Sequence, residues 1–310
     1  MIDATPLLHL YARFRLGRLA RQDAAATQER VLQRLLVRAA ATGFGREHGF
    51  ASIRGIKAFQ NAVPLRRYED FWSAYWQPAF PELIDVSWPG RIPFFAASSG
   101  TSTGATKFIP VTHEMLRSNR QAGLDLLVHH LQHRPRSRVF AGRHLLLGGS
   151  TDLVKRTAGV SSGDLSGIAT ATLPLWARPF SFPPPEIARL SDWTEKMARL
   201  AETAPGANIR SISGTPSWVL LFFDELLRRH SGRGGRLADF FPGLELLVHG
   251  GVNFAPYRAR FAEWLDGGHA ETREAYAASE GFIAAADRGE GDGLRAILDH
   301  GVFYEFVPVS

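Results

Sequence analysis

The chain has 310 residues, of which 45% are hydrophobic and 21% are charged. This is the composition of an ordinary globular protein with enough apolar side chains for a large core. It has no cysteine, which excludes disulfides, thiolate metal sites and thiol nucleophiles. The formal charge of +6 comes from basic residues scattered along the chain, so we expect a solvated basic surface and no nucleic-acid partner.

The start of the sequence lacks the apolar run of a secretory signal, because four arginines interrupt it: Arg13, Arg15, Arg18 and Arg21. No stretch approaches the roughly 18 apolar residues of a membrane span. We therefore expect a cytoplasmic protein without a membrane partner, and we leave its oligomeric state open.

In the first half of the chain, apolar residues at helical spacing predict a long helix over residues 5–42. A second amphipathic helix is predicted over 65–77, and a proline-interrupted region follows at 78–93. Residues 92–110 predict a strand, a polar loop and a second strand. Another helix is predicted over 112–132.

In the second half, a buried strand at 143–148 precedes a loop-rich region at 160–190. Strands and helices then alternate, which predicts a mostly parallel sheet with helices on its faces. The helices are predicted at 191–203, 216–230 and 256–265, and the strands at 209–213, 244–249 and 272–277. Three antiparallel strands are expected to close the chain, at 282–286, 293–298 and 302–307.

The densest polar segment is residues 98–107, which contain six hydroxyl side chains, two glycines and Lys107. Glycines let backbone N–H groups approach an anion, hydroxyls donate hydrogen bonds, and lysine adds positive charge. This chemistry suits a polyphosphate, although the spacing is neither that of a P-loop nor that of a nucleophile elbow. The alternative is a flexible surface loop. Lys107 counts against it, because the chain uses arginine almost everywhere else.

A second polar segment ends the strand predicted at 272–277 and contains Tyr276, Ser279 and Glu280. An aromatic ring can stack on a base, and a hydroxyl and a carboxylate can hold a phosphate and its Mg²⁺. Ligands of open α/β sheets gather at the carboxyl ends of strands. The alternative is an ordinary turn.

Two glycine-containing turns, Gly250-Gly251 and Ser213-Gly214-Thr215-Pro216, also follow predicted strands and could approach a ligand or simply turn the chain. His129 and His133 lie one helical turn apart. No third ligand accompanies them, so we expect a helix face and not a metal site.

These segments together resemble the Gretchen Hagen 3 (auxin-responsive) family of acyl-acid amido synthetases. Ser98-Ser99-Gly100-Thr101-Ser102 with Lys107 resembles the phosphate loop of that family. Tyr276-Ala277-Ala278-Ser279-Glu280-Gly281 resembles its second nucleotide motif, with Ala278 where a serine is common. The resemblance covers about residues 25–308 and extends, more distantly, to the acyl-CoA synthetase and luciferase superfamily.

The resemblance implies an α/β fold with mixed, mostly parallel sheets flanked by helices. Residues 1–310 would form the N-terminal ATP- and acyl-binding (adenylation) domain, incomplete at its end and without the small mobile C-terminal domain of the family. Because the chain ends in a predicted strand, we expect a truncation and little or no activity of this chain alone.

The resemblance also implies two half-reactions, in which ATP and a carboxylic acid form an acyl-adenylate and an amino acid then takes the acyl group. Lys107 and Glu280 would be catalytic, and Glu280 would also bind Mg²⁺. Trp218, Val219 and Phe222 are the expected walls of the acyl pocket. The implied ATP-binding residues are Ser98, Ser99, Gly100, Thr101, Ser102, Lys107, Gly250, Gly251, Tyr276, Ser279 and Glu280.

Three alternatives stay open. A carboxylate–CoA ligase shares the adenylation step and differs in its acceptor, a thiol in place of an amine. A non-catalytic remnant would fold and bind a ligand or a partner. A basic nucleic-acid-binding protein would need a recognition motif, and the sequence offers none.

Overall fold

A computed structural model describes residues 2–99, 106–289 and 291–308, and within these ranges the chain forms two sheets flanked by helices. The strands of the smaller sheet are β1 (Phe94–Ser99), β2 (Thr106–Val111), β4 (Val154–Thr157) and β5 (Val160–Gly163). Those of the larger sheet are β3 (Arg143–Leu146), β6 (Ser181–Phe182), β7 (Ile209–Gly214), β8 (Leu246–Gly250), β9 (Glu271–Ala278), β10 (Gly281–Ala285) and β11 (Arg295–Ala296). This arrangement confirms the predicted α/β class.

The helices cover both faces of the larger sheet. None of those described is both long and apolar enough to cross a bilayer. They are α1 (Thr5–Ala20), α2 (Ala24–Ala39), α3 (Gly43–Glu47), α4 (Ile56–Ala62), α5 (Tyr68–Phe71), α6 (His113–His133), α7 (Leu165–Ala171), α8 (Pro185–Ala188), α9 (Trp193–Thr203), α10 (Pro216–Arg229), α11 (Leu237–Phe240) and α12 (Arg258–Leu265). A π-helical turn spans Trp72–Trp76, and 3₁₀ turns span Gln77–Ala79, Val139–Ala141, Arg178–Phe180, Ala204–Gly206 and Ala255–Tyr257.

The larger sheet has the strand order β11-β10-β9-β8-β7-β3-β6, and β3, β7, β8 and β9 run parallel to one another. Successive strand residues point to opposite faces. Leu247 therefore packs with the main core against α9 and α10, whereas Leu246 packs with Leu126 of α6 on the other face. Burial on both faces explains why these strands appear in the sequence as apolar runs.

The smaller sheet has the order β2-β1-β5-β4. Strands β1 and β2 form an antiparallel pair from Phe94 opposite Val111 to Ser99 opposite Thr106, which confirms the two strands predicted over 92–110. Thr112 then begins α6, because its side chain accepts a hydrogen bond from the Met115 amide at 3.0 Å. Helix α6 therefore runs from the smaller sheet across the larger one.

Three predictions of local structure need correction. The helix expected over 5–42 is two helices, because Asp23 caps a new one by accepting from the Ala26 amide at 2.7 Å. The helix expected over 65–77 begins only at Tyr68. Residues 302–307 form no strand, because the Gln28 side chain accepts from the Tyr304 amide at 2.8 Å and ties this segment to α2.

A buried ionic cluster connects the segment after β11 to helices α1 and α6. Arg15 of α1 donates to both carboxylate oxygens of Asp125 on α6, at 2.7 and 2.6 Å. The same guanidinium donates to Asp299 at 2.6 and 2.8 Å, and His300 contacts Asp125 at 2.8 Å. This cluster joins α1, α6 and the segment after β11.

Candidate functional site

A cleft of about 1230 Å³ opens at the carboxyl ends of parallel strands β3, β7, β8 and β9. One side consists of the turns that leave these strands, and the other consists of α6 and the end of β1. Carboxyl ends of parallel strands are the usual place for ligands in α/β sheets. The cleft therefore lies where the sequence pattern predicted a site.

Several predicted nucleotide-binding residues, far apart in sequence, line this one cleft: Ser98, Gly250, Gly251, Ser279 and Glu280. Gly250 is required by packing, because a Cβ there would lie 2.0 Å from the Ala275 carbonyl oxygen. Gly251 has a φ of 84°, a conformation that favours glycine.

Lys107 is placed differently from the expectation. Its Nζ lies 2.6 Å from Oε1 of Glu69 and 4.8 Å from the ring centre of Tyr68, and it does not line the cleft. The ion pair lowers the pKa of Glu69. In this structure the Lys107 ammonium is thus paired with α5 and is not presented to the cleft.

The structure describes the other predicted residues only in part. Gly100, Thr101 and Ser102 lie outside the described residues, and Ser99 is the last residue of β1. Tyr276 is 51% exposed on β9 and is not among the lining residues, although Ala275 and Ala277 beside it are.

The three residues expected to form the acyl pocket separate into two groups. Trp218 lines the cleft. Val219 and Phe222 do not: both are fully buried in the main core, on the stripe of α10 that continues with Phe223 and Leu226. The helical spacing of this stripe directs it to the core, one position away from the cleft-facing Trp218.

The cleft wall formed by α6 changes from cationic to apolar along the helix. Arg117 and Arg120 line one end, and Leu124 and Leu127 line the other. At 1.5 Å per residue, Arg117 and Leu127 are about 15 Å apart along the axis. The amide oxygen of Asn119 accepts from the Phe282 amide at 3.1 Å, which holds the arginine end beside the Ser279–Glu280 turn. The remaining apolar lining includes Leu146, Leu173, Trp176, Trp218 and Phe282.

His144 also lines the cleft, although no sequence pattern singled it out. Its Nδ1 lies 2.6 Å from the Ser211 hydroxyl, and burial lowers the pKa of the imidazole to about 4. His144 is therefore neutral at physiological pH.

Lys196 stabilises a turn beside the cleft. Its buried Nζ donates to the carbonyls of Gly148 and Gly149, both at 3.0 Å, and of Ala188 at 3.2 Å. Burial lowers the pKa of this ammonium. The Gly149 amide in turn donates to the hydroxyl of Ser166, a cleft-lining residue, so Lys196 fixes the turn that follows β3.

A sequence profile of the GH3 family N-terminal domain matches residues 17–269, which are most of this chain. The chain belongs to the GH3 family. This result confirms the family that the two nucleotide motifs indicated.

Relatives of this GH3 chain include the jasmonoyl–L-amino acid synthetase JAR4 of Nicotiana attenuata. It is 27% identical over 100 residues, which are 32% of this chain and 17% of JAR4. The solved GH3.15 acyl acid amido synthetase has a TM-score of 0.69 at 18% identity, over 92% of this chain and 59% of its own. A 2-hydroxyisobutyryl-CoA ligase has a TM-score of 0.55 at 17% identity, over 85% and 56%. The chain thus has the fold of the N-terminal part of adenylate-forming enzymes and spans little more than half the length of these two structures.

The acidic residues of this GH3 chain allow a test of whether Mg²⁺ fits. Among the described residues, Asp125, Asp299 and His300 approach one another closely enough to share an ion, but the Arg15 guanidinium already occupies both carboxylates. In the described part of the cleft, Glu280 and Asp164 are the lining carboxylates. Mg²⁺ commonly uses one or two carboxylates together with substrate phosphates and water, so Glu280 fits as a ligand for a phosphate-bound ion.

Proposed function

We propose that this GH3 chain binds ATP and a carboxylic acid in the cleft and transfers the adenylyl group to the acid. The observation that carries the proposal is that Ser98, Gly250-Gly251 and Ser279-Glu280 line one cleft that also has an apolar wall. These three segments suit a nucleotide, and the apolar wall suits the body of an organic acid. Family membership supports the same function.

In the proposed step, a carboxylate oxygen of the acid attacks the α-phosphorus of ATP. The bond from this phosphorus to the bridging oxygen breaks, and pyrophosphate leaves with the electron pair. Negative charge develops on the phosphate oxygens, so fixed hydrogen-bond donors and cations at that point would stabilise the transition state. The Ser279 hydroxyl would contact the α-phosphate, and the phosphate loop that begins at Ser98 would hold the β- and γ-phosphates.

Glu280 would hold Mg²⁺, which would neutralise charge on the departing pyrophosphate. The base would lie against the Gly250–Gly251 turn, where the absence of side chains allows close approach. Tyr276 stays a predicted stacking residue. Because Tyr276 is exposed on β9, its ring would have to turn toward the base in order to stack on it.

The acid would lie along the apolar end of the cleft, against Leu124, Leu127 and Trp218. His144, neutral and hydrogen-bonded to Ser211, is a polar group available in the same lining. We propose an amino acid as the final acceptor, whose amine attacks the acyl carbon and displaces AMP. The relatives named as amino acid and amido synthetases support this acceptor over a thiol.

An acid-dependent exchange of radioactive pyrophosphate into ATP tests the proposal, because it reports the first half-reaction alone. A panel of aromatic, cyclic and straight-chain acids would be compared, with Glu280→Gln as the inactive variant and the exposed Glu263→Gln as its control. We expect exchange with at least one acid, which Glu280→Gln loses and Glu263→Gln keeps. Absence of exchange and of ATP binding in a folded chain would favour a non-catalytic remnant. Low complete turnover by this chain alone stays a prediction, checked by measuring amide formation in the same samples.

A further inference from the structure

The cleft lining includes two positively charged side chains that the nucleotide motifs do not explain. Among its described lining residues, Arg117 and Arg120 are the two whose side chains carry a permanent positive charge. Within the described part of the chain, neither guanidinium has a hydrogen-bonding or ion-pair partner, unlike Arg15, Arg210 and Arg273. Two unpaired guanidiniums one helical turn apart repel each other weakly, and an anion bound by both would remove this repulsion.

The cation that the phosphate motif supplies is held elsewhere. Lys107 is bonded to Glu69 and lies over the Tyr68 ring. Recruiting it to a phosphate would break that ion pair. Arg117 and Arg120 need no such exchange, since they already line the cleft.

The position of the two arginines matches the polyphosphate end of the proposed nucleotide. Asn119 lies between them in sequence and accepts from the Phe282 amide, two residues beyond Glu280. The first turns of α6 are thereby held beside the Ser279–Glu280 turn, where the α-phosphate and its Mg²⁺ would lie. The apolar residues Leu124 and Leu127 occupy the far end of the same wall, which suits no phosphate.

We propose that Arg117 and Arg120 bind the β- and γ-phosphates of ATP and neutralise the pyrophosphate as it leaves, supplying there the positive charge that the family resemblance assigned to Lys107. The inference rests on the proposed function, because it concerns the same cleft. Guanidinium groups suit this role, because their planar fork can donate two parallel hydrogen bonds to one phosphate and stays charged at any physiological pH.

The test measures the binding of ATP and AMP by calorimetry, since AMP lacks the β- and γ-phosphates. The variants are Arg117→Gln/Arg120→Gln, the single Lys107→Gln, and Arg13→Gln/Arg233→Gln as a control that removes two exposed arginines outside the cleft. Both double variants lower the net charge equally. We expect the cleft pair to weaken ATP binding by about 10-fold or more while AMP binding changes by less than about 2-fold. We expect Lys107→Gln to weaken ATP binding less than the cleft pair does. We expect the control pair to change ATP affinity only through the lower net charge of the protein.

An equal loss of ATP and AMP affinity, or a larger loss from Lys107→Gln, would overturn the assignment. Arg117→Lys/Arg120→Lys keeps the charge and removes the fork, so partial recovery of ATP binding would separate phosphate contact from a folding defect. Titration with inorganic pyrophosphate distinguishes this inference from the proposed function. If the parent binds pyrophosphate through the two arginines but binds no nucleotide, the adenylation proposal fails and the anion site stands. If the parent binds neither pyrophosphate nor ATP, the anion site fails too.

Discussion

Replacing Arg15 by methionine should strongly destabilise the chain. Arg15 is 4% exposed and makes four hydrogen bonds of 2.6 to 2.8 Å to two carboxylates, of which Asp125 is 1% exposed and Asp299 is 16% exposed. Methionine fills similar space but leaves both carboxylates without their cation. Removing one partner of a buried ion pair costs about 3–5 kcal/mol, and the cluster here loses its one shared arginine.

The assay is the free energy of unfolding in urea, with Arg13→Met as the matched control. Arg13 is exposed on the same helix, so its replacement should change the free energy by no more than about 0.5 kcal/mol. Most of the loss in Arg15→Met should come from the uncompensated carboxylates. Arg15→Met combined with Asp125→Leu should therefore cost less than the sum of the single changes. A loss below about 1 kcal/mol for Arg15→Met would refute this reasoning, because it would mean that water or movement already solvates the two carboxylates.

Three further predictions concern the sheet and the cleft. Gly250→Ala should destabilise the chain by about 2 kcal/mol and abolish ATP binding, because its methyl group would overlap the Ala275 carbonyl; unfolding and calorimetry measure the two effects. Lys196→Met should cost about 2 kcal/mol of unfolding free energy, because three backbone carbonyls lose their donor. Burial would raise the pKa of Glu271, but the His130 hydrogen bond and the nearby arginine charge lower it to about 2. Its contribution to stability should be present above its ordinary pKa of 4.5 and be lost as the pH falls toward 2, so the free-energy gap between the parent and Glu271→Gln should narrow across that range.

The glycine and lysine variants each have a control variant on the surface. Gly232→Ala places its methyl group in open space and should leave stability and binding unchanged. The exposed Lys155→Met should behave like the parent in unfolding. A Gly250→Ala variant as stable as Gly232→Ala, or a Lys196→Met variant as stable as Lys155→Met, would contradict the packing described above. For Glu271, the difference in unfolding free energy between the parent and Glu271→Gln is the quantity measured. A difference that stays constant or widens toward acid pH would contradict the lowered pKa.

Much of the larger sheet could be predicted because its strands are short apolar runs that end in glycine or polar turns. In this sheet, the alternation of strands and helices from β7 to β9 follows from local pattern alone. The same is true of the β1–β2 pair in the smaller sheet. The break after α1 carried a usable signal, since aspartate is a preferred helix-capping residue. No local pattern shows that residues 302–307 form no strand, because the Gln28 side chain that accepts from the Tyr304 amide is distant in sequence.

The site was predictable to a similar extent. Strand ends converge on one sheet edge, so Gly250 and Glu280 could be placed together from sequence. The apolar stripe of α10 could have assigned Phe222 to the core, since it repeats at helical spacing. The pairing of Lys107 with Glu69 could not be predicted, because it depends on how α5 packs against the smaller sheet.

The most direct test of the central claim is a crystal structure of this chain with a stable acyl-adenylate analogue, an acyl sulfamate of adenosine. The account predicts the adenosine against Gly250 and Gly251, the sulfamate beside Ser279, and the acyl chain along Leu124 and Leu127. An analogue bound in the reverse direction, or bound outside the cleft, would contradict it.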